Sequence, residues 1–207
     1  CKTFLKYAAR DPLSGEIGKS IIFAVSQKHA EKITQILNQL AMQEYPGKYN
    51  SDFAVQVTSN VRDAQQFTIQ FSENNLCGQT RWLQDYESSR ARVAVTVGMM
   101  TTGYDCSDLL NVVFMRPVFS PSDFIQMKGR GTRLHTFEWI DYANGESVQT
   151  SRKENFRLID FFAVCEYFEE KYDYSVPLAI PKVKESTLGI ISTTLPGDIE
   201  QNFAVIQ

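Results

Sequence analysis

Gln126-Met127-Lys128-Gly129-Arg130-Gly131-Thr132-Arg133 is the stretch of this 207-residue chain best equipped for chemistry. On helical spacing, Gln126, Gly129, Arg130 and Arg133 stand at i, i+3, i+4 and i+7 and share one face. Phe124, Met127 and Leu134 fall on another side and are expected to face a core. Arginine is always charged and its fork matches phosphate oxygens, so the polar face suits a polyphosphate. Gly129 would let such a ligand approach closely. Two glycines in a helix cost about 1 kcal/mol each relative to alanine, and a purely structural helix has no reason to carry them. An isolated Arg-x-x-Arg is ordinarily a solvated basic turn; here the glutamine, the glycine and the upstream segments favour a functional reading.

The second chemical segment is Thr101-Thr102-Gly103-Tyr104-Asp105. Small hydroxyls beside a glycine expose backbone N–H groups that can bind a phosphate. Asp105 could hold a ribose hydroxyl, position a water or orient an arginine. The plain alternative is a turn in which Asp105 caps the next short segment. Gly18-Lys19-Ser20 imitates the end of a phosphate-binding loop, but Leu13 stands where that pattern needs glycine, and an apolar run comes next where a helix should open.

The elements that must position these segments alternate in type. Residues 21–25 form a continuous apolar run, as expected of a strand buried on both faces. Ser26 then caps a helix to about Met42, with Ala30, Ile33, Leu37, Leu40 and Ala41 on one face. Further strands are predicted over 53–58, 92–97, 111–115 and 156–162. Asn60 is placed as the cap of a helix carrying Val61, Ala64, Phe67, Thr68 and Phe71. Residues 73–80 read as a polar insertion, Trp82, Leu83 and Tyr86 as a short helix, and 122–134 as the arginine helix. Residues 136–155 read as a loop or hairpin insertion. Strands alternating with helices imply right-handed crossovers and a mainly parallel sheet. Ligands then gather at the carboxyl ends of the strands, where Ser26, Thr58, Ser59, Thr101, Thr102 and Gly103 could line one rim.

Composition excludes several classes. With 21 basic and 24 acidic residues the net charge is −3, so any nucleic-acid contact must rest on a local patch. Cys1, Cys77, Cys106 and Cys165 lie far apart with no metal-ligand spacing, which reads as reduced, intracellular thiols. No apolar run reaches membrane length and no signal peptide opens the chain. A start at Cys1 rather than methionine points to part of a longer protein. The isolated residues read as structural. His29 is a surface or packing residue, His135 a favourable cap for the arginine helix, Trp82 and Trp139 packing contacts before base-stacking ones, and the acidic stretch 166–173 a solvated helix face.

Taken in order, these segments resemble the second RecA-like domain of superfamily-two helicases and translocases. Residues 21–29 look like motif IV, 95–105 like motif V and 126–133 like motif VI. The longer run from Thr101 through Asn111-Val112-Val113-Phe114-Met115-Arg116-Pro117 to Phe124-Ile125-Gln126 and Leu134 looks like the motor of the restriction subunit of type I restriction-modification enzymes. The resemblance covers roughly residues 15–165. Where motif VI more often reads Gly-Arg-x-Gly-Arg, Thr132 replaces the second glycine. The implied fold is α/β and RecA-like: a mainly parallel sheet with helices on both faces, lacking the P-loop, plus an extended C-terminal tail. The implied division is a lead-in over 1–20, the motor domain over 21–174 and a tail over 175–207 towards a further domain.

The resemblance implies roles as well. ATP binds between two RecA-like domains, with Arg133 and Arg130 as arginine fingers and Gln126 orienting the attacking water or coupling the cleft to DNA. Gly103, Asp105 and Gly129 couple the nucleotide to the DNA path. Ser26, Thr58, Ser59, Thr101 and Thr102 contact the phosphate backbone of double-stranded DNA. The Walker A and Walker B residues, and with them Mg²⁺, belong to the first motor domain, and the nuclease is expected elsewhere in the subunit. The fragment alone is therefore expected to be inactive. Modification and specificity subunits are the implied partners, in a prokaryotic cytoplasm, with no membrane contact. Another superfamily-two DNA or RNA helicase, or a non-catalytic nucleic-acid-binding module of the same fold, are the alternatives.

Overall fold

The unbroken apolar runs become strands of one parallel sheet. The computed structural model describes residues 1–59, 63–80, 86, 88–98, 105–141 and 146–171. After α1 (Lys2–Tyr7) come β1 (Ser20–Ala24), α2 (Gln27–Glu44), β2 (Ala54–Gln56) and α3 (Ala64–Ser72). A short pair, β3 (Gln79–Thr80) and β4 (Ser88–Ser89), precedes β5 (Val93–Thr96) and β6 (Asn111–Met115). The chain continues through α4 (Pro121–Gly129), β7 (Thr136–Asp141), β8 (Glu146–Arg152), β9 (Arg157–Asp160) and a π-helical turn, Glu166–Lys171. The sheet order is β2-β5-β1-β6-β9, with every neighbouring pair parallel. β7 and β8 form a separate antiparallel hairpin, so of the two expectations for 136–155 the hairpin is what forms.

Successive strand side chains point to opposite faces, and both faces are apolar. Ile22, Ala24, Val93, Val95, Val113 and Met115 join Phe4 and Leu5 of α1 and Ala30, Ile33, Leu37 and Ala41 of α2 in one core. Burying Phe4 and Leu5 is worth about 1.5–3 kcal/mol each, which makes the lead-in part of the packing. On the other face Phe23 meets Phe114, Phe114 meets Phe124 of α4, and Phe124 stacks on Phe168 of the π-helical turn at 4.9 Å. That turn belongs to the acidic stretch. It is not merely a solvated face: Phe168 is buried, and Glu169 pairs with Lys128 of α4.

Ser26 caps α2, its Oγ accepting from the His29 N–H at 3.2 Å. The predicted Asn60 cap, the Val61 start, Trp82 and Leu83, and the 175–207 tail lie outside the described residues. Tyr86 is described and carries no helix; its hydroxyl donates to Asp11 at 2.9 Å.

The amino edge of the sheet is built from buried charges. Lys19 and Asp108 pair at 2.9 Å, with side chains 1% and 10% exposed. Arg92 donates to the Ile17 carbonyl at 2.8 Å and faces Asp11 at 3.7 Å. Asn111 ties the lead-in to β6 through the Ala9 N–H and carbonyl, the Gly18 carbonyl and Ser20 Oγ. Gly18 is required there, because a Cβ would stand 2.6 Å from Leu110 Cδ1 and 2.8 Å from the Ala9 carbonyl oxygen. Gly18-Lys19-Ser20 is thus a strand lead-in whose lysine is consumed inside the protein. Replacing Lys19 with Met alone strands the Asp108 carboxylate, with an expected loss of about 3–5 kcal/mol in denaturant unfolding. Lys19→Met combined with Asp108→Leu is expected to recover most of it.

Candidate functional site

The arginine segment is not one continuous helix. Ser120 caps α4, its Oγ accepting from the Asp123 N–H at 3.3 Å, and Pro121 occupies the first turn, where its missing N–H costs nothing. The helix stops at Gly129. Arg130, Gly131 and Thr132 then donate to carbonyls three residues back, at Met127, Lys128 and Gly129, with N···O distances of 3.3, 3.1 and 3.3 Å. This tightening of a last turn is what two poor helix formers in three positions produce. The expected helix over 122–134 is therefore corrected to Pro121–Gly129. Gln126 remains on α4, exposed, with Ser122 Oγ at 3.4 Å. Arg130 is the C-cap and Arg133 lies beyond, so the four residues do not share a helical face. Phe124 and Met127 are buried as expected, whereas Leu134 is 74% exposed.

The demanding glycine is Gly131. A Cβ there would stand 2.2 Å from Phe156 Cδ2, while at Gly129 it would meet no atom within 4 Å. Phe156 immediately precedes β9, so Gly131 sits at the amino edge of the sheet. Helix α4 has run back from the carboxyl end of β6 to reach it. Ser26 and Ser59 lie at the opposite, carboxyl edge. The arginines and the serine rim are thus at different ends of the domain.

Arg133 turns towards the second chemical segment. Its Nε lies 2.9 Å from Asp105 Oδ1, with side chains 49% and 66% exposed. The contact joins Asp105 to an arginine of the other segment. Thr101, Thr102 and Gly103 lie outside the described residues. Downstream of Asp105, Ser107 Oγ is 3.0 Å from His135 Nδ1, and the Ser107 carbonyl accepts from Lys153 Nζ at 3.0 Å. Residues 105–108 thereby bind both ends of the 133–153 segment as well as Lys19. His135 does not cap α4; it packs edge-on to Phe137 at the root of the hairpin. A groove of about 340 Å³ between Arg133, Leu134 and residues 153–156 runs alongside.

At the serine rim, Ser26 and Ser59 are exposed, and Gln27 Nε2 reaches Ser59 Oγ at 3.5 Å. Thr58 is 1% exposed and its hydroxyl accepts from Gln56 at 3.1 Å. It lies two residues past β2 with its hydroxyl turned inward. Sequence reasoning missed Arg116, Lys19, Asp108 and Phe156. A buried ion pair leaves no periodic trace, but the 2.2 Å approach at Gly131 was signalled by a glycine without a helical purpose. No group of His, Cys, Asp and Glu among the described residues could hold a metal. The four cysteines are free thiols, and no helix among the described residues is long and apolar enough to cross a membrane.

No family model matches the chain. The type I restriction enzyme EcoKI endonuclease subunit of Escherichia coli K12 is 29% identical over 156 residues, which is 69% of this chain. The chain spans only 12% of that subunit's length. A fragment described as an HsdR subunit of a type I restriction enzyme from Vibrio vulnificus superposes with a TM-score of 0.54 at 26% identity, over 82% of this chain and 27% of that one. The likeness to S. cerevisiae Dbp5, solved with RNA and ADP BeF3, is looser: TM-score 0.44 at 16% identity, over 75% of this chain and 34% of that one. In sequence and in fold the chain therefore resembles part of the restriction subunit of type I restriction enzymes, built on a RecA-like, parallel sheet.

Gly131→Ala is expected to force Phe156 or the arginine segment aside at a cost of about 1–3 kcal/mol. Gly129→Ala should be neutral or stabilising by up to about 1 kcal/mol. Paired denaturation curves check this. A second expectation concerns pH. Burial holds the His135 imidazole below its ordinary 6.5, with Lys19 and Lys153 adding to the effect and Asp108 opposing it. The unfolded chain then binds the proton first, so stability rises with pH and is lost as pH falls below 6.5 towards the folded value. Burial is the largest single influence on the Asp108 carboxyl and would raise it, but Lys19, the Cys106 thiol and His135 together outweigh it and the net shift is down, so its contribution is lost only below the ordinary 3.8. The thermal midpoint should drop between about pH 7.5 and 5.5, and His135→Gln should flatten that slope.

Proposed function

We propose that this chain is the second motor domain of the restriction subunit of a type I restriction-modification enzyme, contributing to ATP-driven movement along double-stranded DNA before cleavage. The observation that carries this reading is the Arg133–Asp105 contact, in which the two chemical segments meet through an ion pair open to solvent. A surface pair of this kind is worth about 0–1 kcal/mol. It is strong enough to aim an arginine and weak enough for a triphosphate to take it over. The similarity to restriction subunits in sequence and fold supports the same reading.

In this mechanism ATP lies in a cleft against a first RecA-like domain that supplies the Walker residues and the Mg²⁺ site. Arg133, with Arg130 beside it, exchanges Asp105 for the γ-phosphate and neutralises charge spreading over the phosphoryl oxygens. Gln126 orients the attacking water. Through Asp105 the nucleotide state is passed on to Gly103, and Thr101 and Thr102 serve as contacts to the DNA backbone. Ser26 and Ser59, at the far edge of the sheet, hold the phosphate backbone without reading sequence. Gly129 leaves open space beside the arginines. Alone, the chain hydrolyses no ATP; with its first motor domain, and with modification and specificity subunits, it works in the prokaryotic cytoplasm.

In the intact subunit, Arg133→Ala is expected to lower DNA-stimulated ATP hydrolysis by about 10³–10⁵, while DNA binding persists. Wild-type hydrolysis in that variant removes the arginine-finger role. Stimulation by RNA instead of double-stranded DNA would favour another superfamily-two helicase, and no hydrolysis at all by the intact wild type a binding module.

A further inference from the structure

Arg116 stands one residue past the carboxyl end of β6, outside both chemical segments. Its Nη1 donates to the Val97 carbonyl at 3.2 Å. Its Nη2 lies 3.9 Å from Asp123 Oδ2, in the first turn of α4. β5 and β6 are not neighbours, because β1 lies between them. The side chain therefore has to cross the end of the central strand, a gap of two strand spacings or about 9–10 Å. Val97 lies just before the segment that leads to Thr101-Thr102-Gly103. Asp123 lies one helical turn before Gln126. One guanidinium thus touches the roots of both chemical segments.

Two features argue that this contact is more than packing. Arg116 Nε is buried and meets no acceptor among the described residues. In native proteins a buried donor of this kind is met by an ordered water, a ligand or a further acceptor, so this guanidinium has a third bond to offer. The span also needs a fork: two separate N–H-bearing nitrogens serve two acceptors on different elements, which a lysine ammonium on a single stem does not do in the same geometry.

We propose that Arg116 is a positioning residue that couples the root of the 98–105 segment to the amino-terminal turn of α4, so that displacement of one by nucleic acid displaces the other. The bridge rests on geometry alone; its consequence for ATP hydrolysis rests on the function proposed above. Arg116 completes a circuit with the Asp105–Arg133 pair. That pair joins the far ends of the same two segments near the amino edge, and Arg116 joins their near ends at the carboxyl edge.

Peptide-resolved hydrogen exchange on the intact protein tests the bridge without any assay of activity. In Arg116→Ala and Arg116→Lys, residues 93–98 and 120–126 should exchange faster together, by roughly five- to tenfold, the factor one net hydrogen bond carries. Residues 27–44 should be unchanged. Acceleration of 120–126 alone, uniform acceleration everywhere, or a wild-type pattern in Arg116→Lys overturns the proposal. If the arginine variants do not fold, Asp123→Asn serves instead, with the same joint acceleration expected and acceleration of α4 alone overturning it. As a second readout, the DNA concentration for half-maximal stimulation of ATP hydrolysis should rise about tenfold in Arg116→Lys while KM for ATP holds. Joint exchange in a protein whose wild type shows no DNA-stimulated hydrolysis would leave the bridge standing and remove the motor reading.

Discussion

Lys19 ends where a lone charge could not stay. Its ammonium lies under the sheet's amino edge, against Phe71, where the Asp108 carboxylate balances its charge and the Ser72 carbonyl accepts a further hydrogen bond. Because the pair is buried, it fixes more than two side chains. It sets where residues 105–110 leave the core, and the backbone repeats the constraint, with the Leu110 and Asn111 N–H groups donating to the Lys19 carbonyl. Asp105, Ser107 and Asp108 therefore emerge from a rigid platform. From it Asp105 reaches Arg133, and Ser107 reaches His135 and Lys153. The arginine segment has no helix to hold it beyond Gly129. It is held by this platform on one side and by the Gly131–Phe156 contact on the other.

The parallel sheet separates two kinds of surface. Its carboxyl edge carries exposed serines and the start of α2, where hydroxyls and the N–H groups of a helix's first turn favour anions. Its amino edge carries the arginine segment, delivered there by the antiparallel course of α4. A domain arranged this way can touch two ligands at once, with a stiff layer of strands between them. The aromatic chain from Phe23 through Phe114 and Phe124 to Phe168 stiffens that layer on the α4 side.

Much of this is legible without coordinates. The apolar runs over 21–25 and 111–115 locate β1 and β6, because a strand covered on both faces has nowhere to put a polar residue. The Ser26 cap and the Ala30, Ile33, Leu37, Ala41 stripe locate α2. The hairpin is half legible: its polar, irregular sequence reads as an insertion, and only pairing of β7 with β8 makes it a ribbon. Helical spacing overstates the length of the arginine helix. It groups Gln126 with Arg133 so neatly that the weak propensity of two glycines is easily discounted, and in the fold the glycines prevail. The setting of Thr58 is likewise decided by its neighbours. A hydroxyl after a strand looks available, but Gln56 takes it inward.

The sequence by itself determined the alternation of strands and helices and the chemical types available at 101–105 and 126–133. Those arise from local propensity and from the periods of apolar residues, which need no partner to be read. The tertiary structure alone decided that Asp105 meets Arg133, that Lys19 is spent on Asp108, that Arg116 spans the end of β1 and that Gly131 must be glycine. Each of these joins residues far apart in the chain, through charges or close contacts that carry no period. Only the packing of one particular sheet brings them within reach.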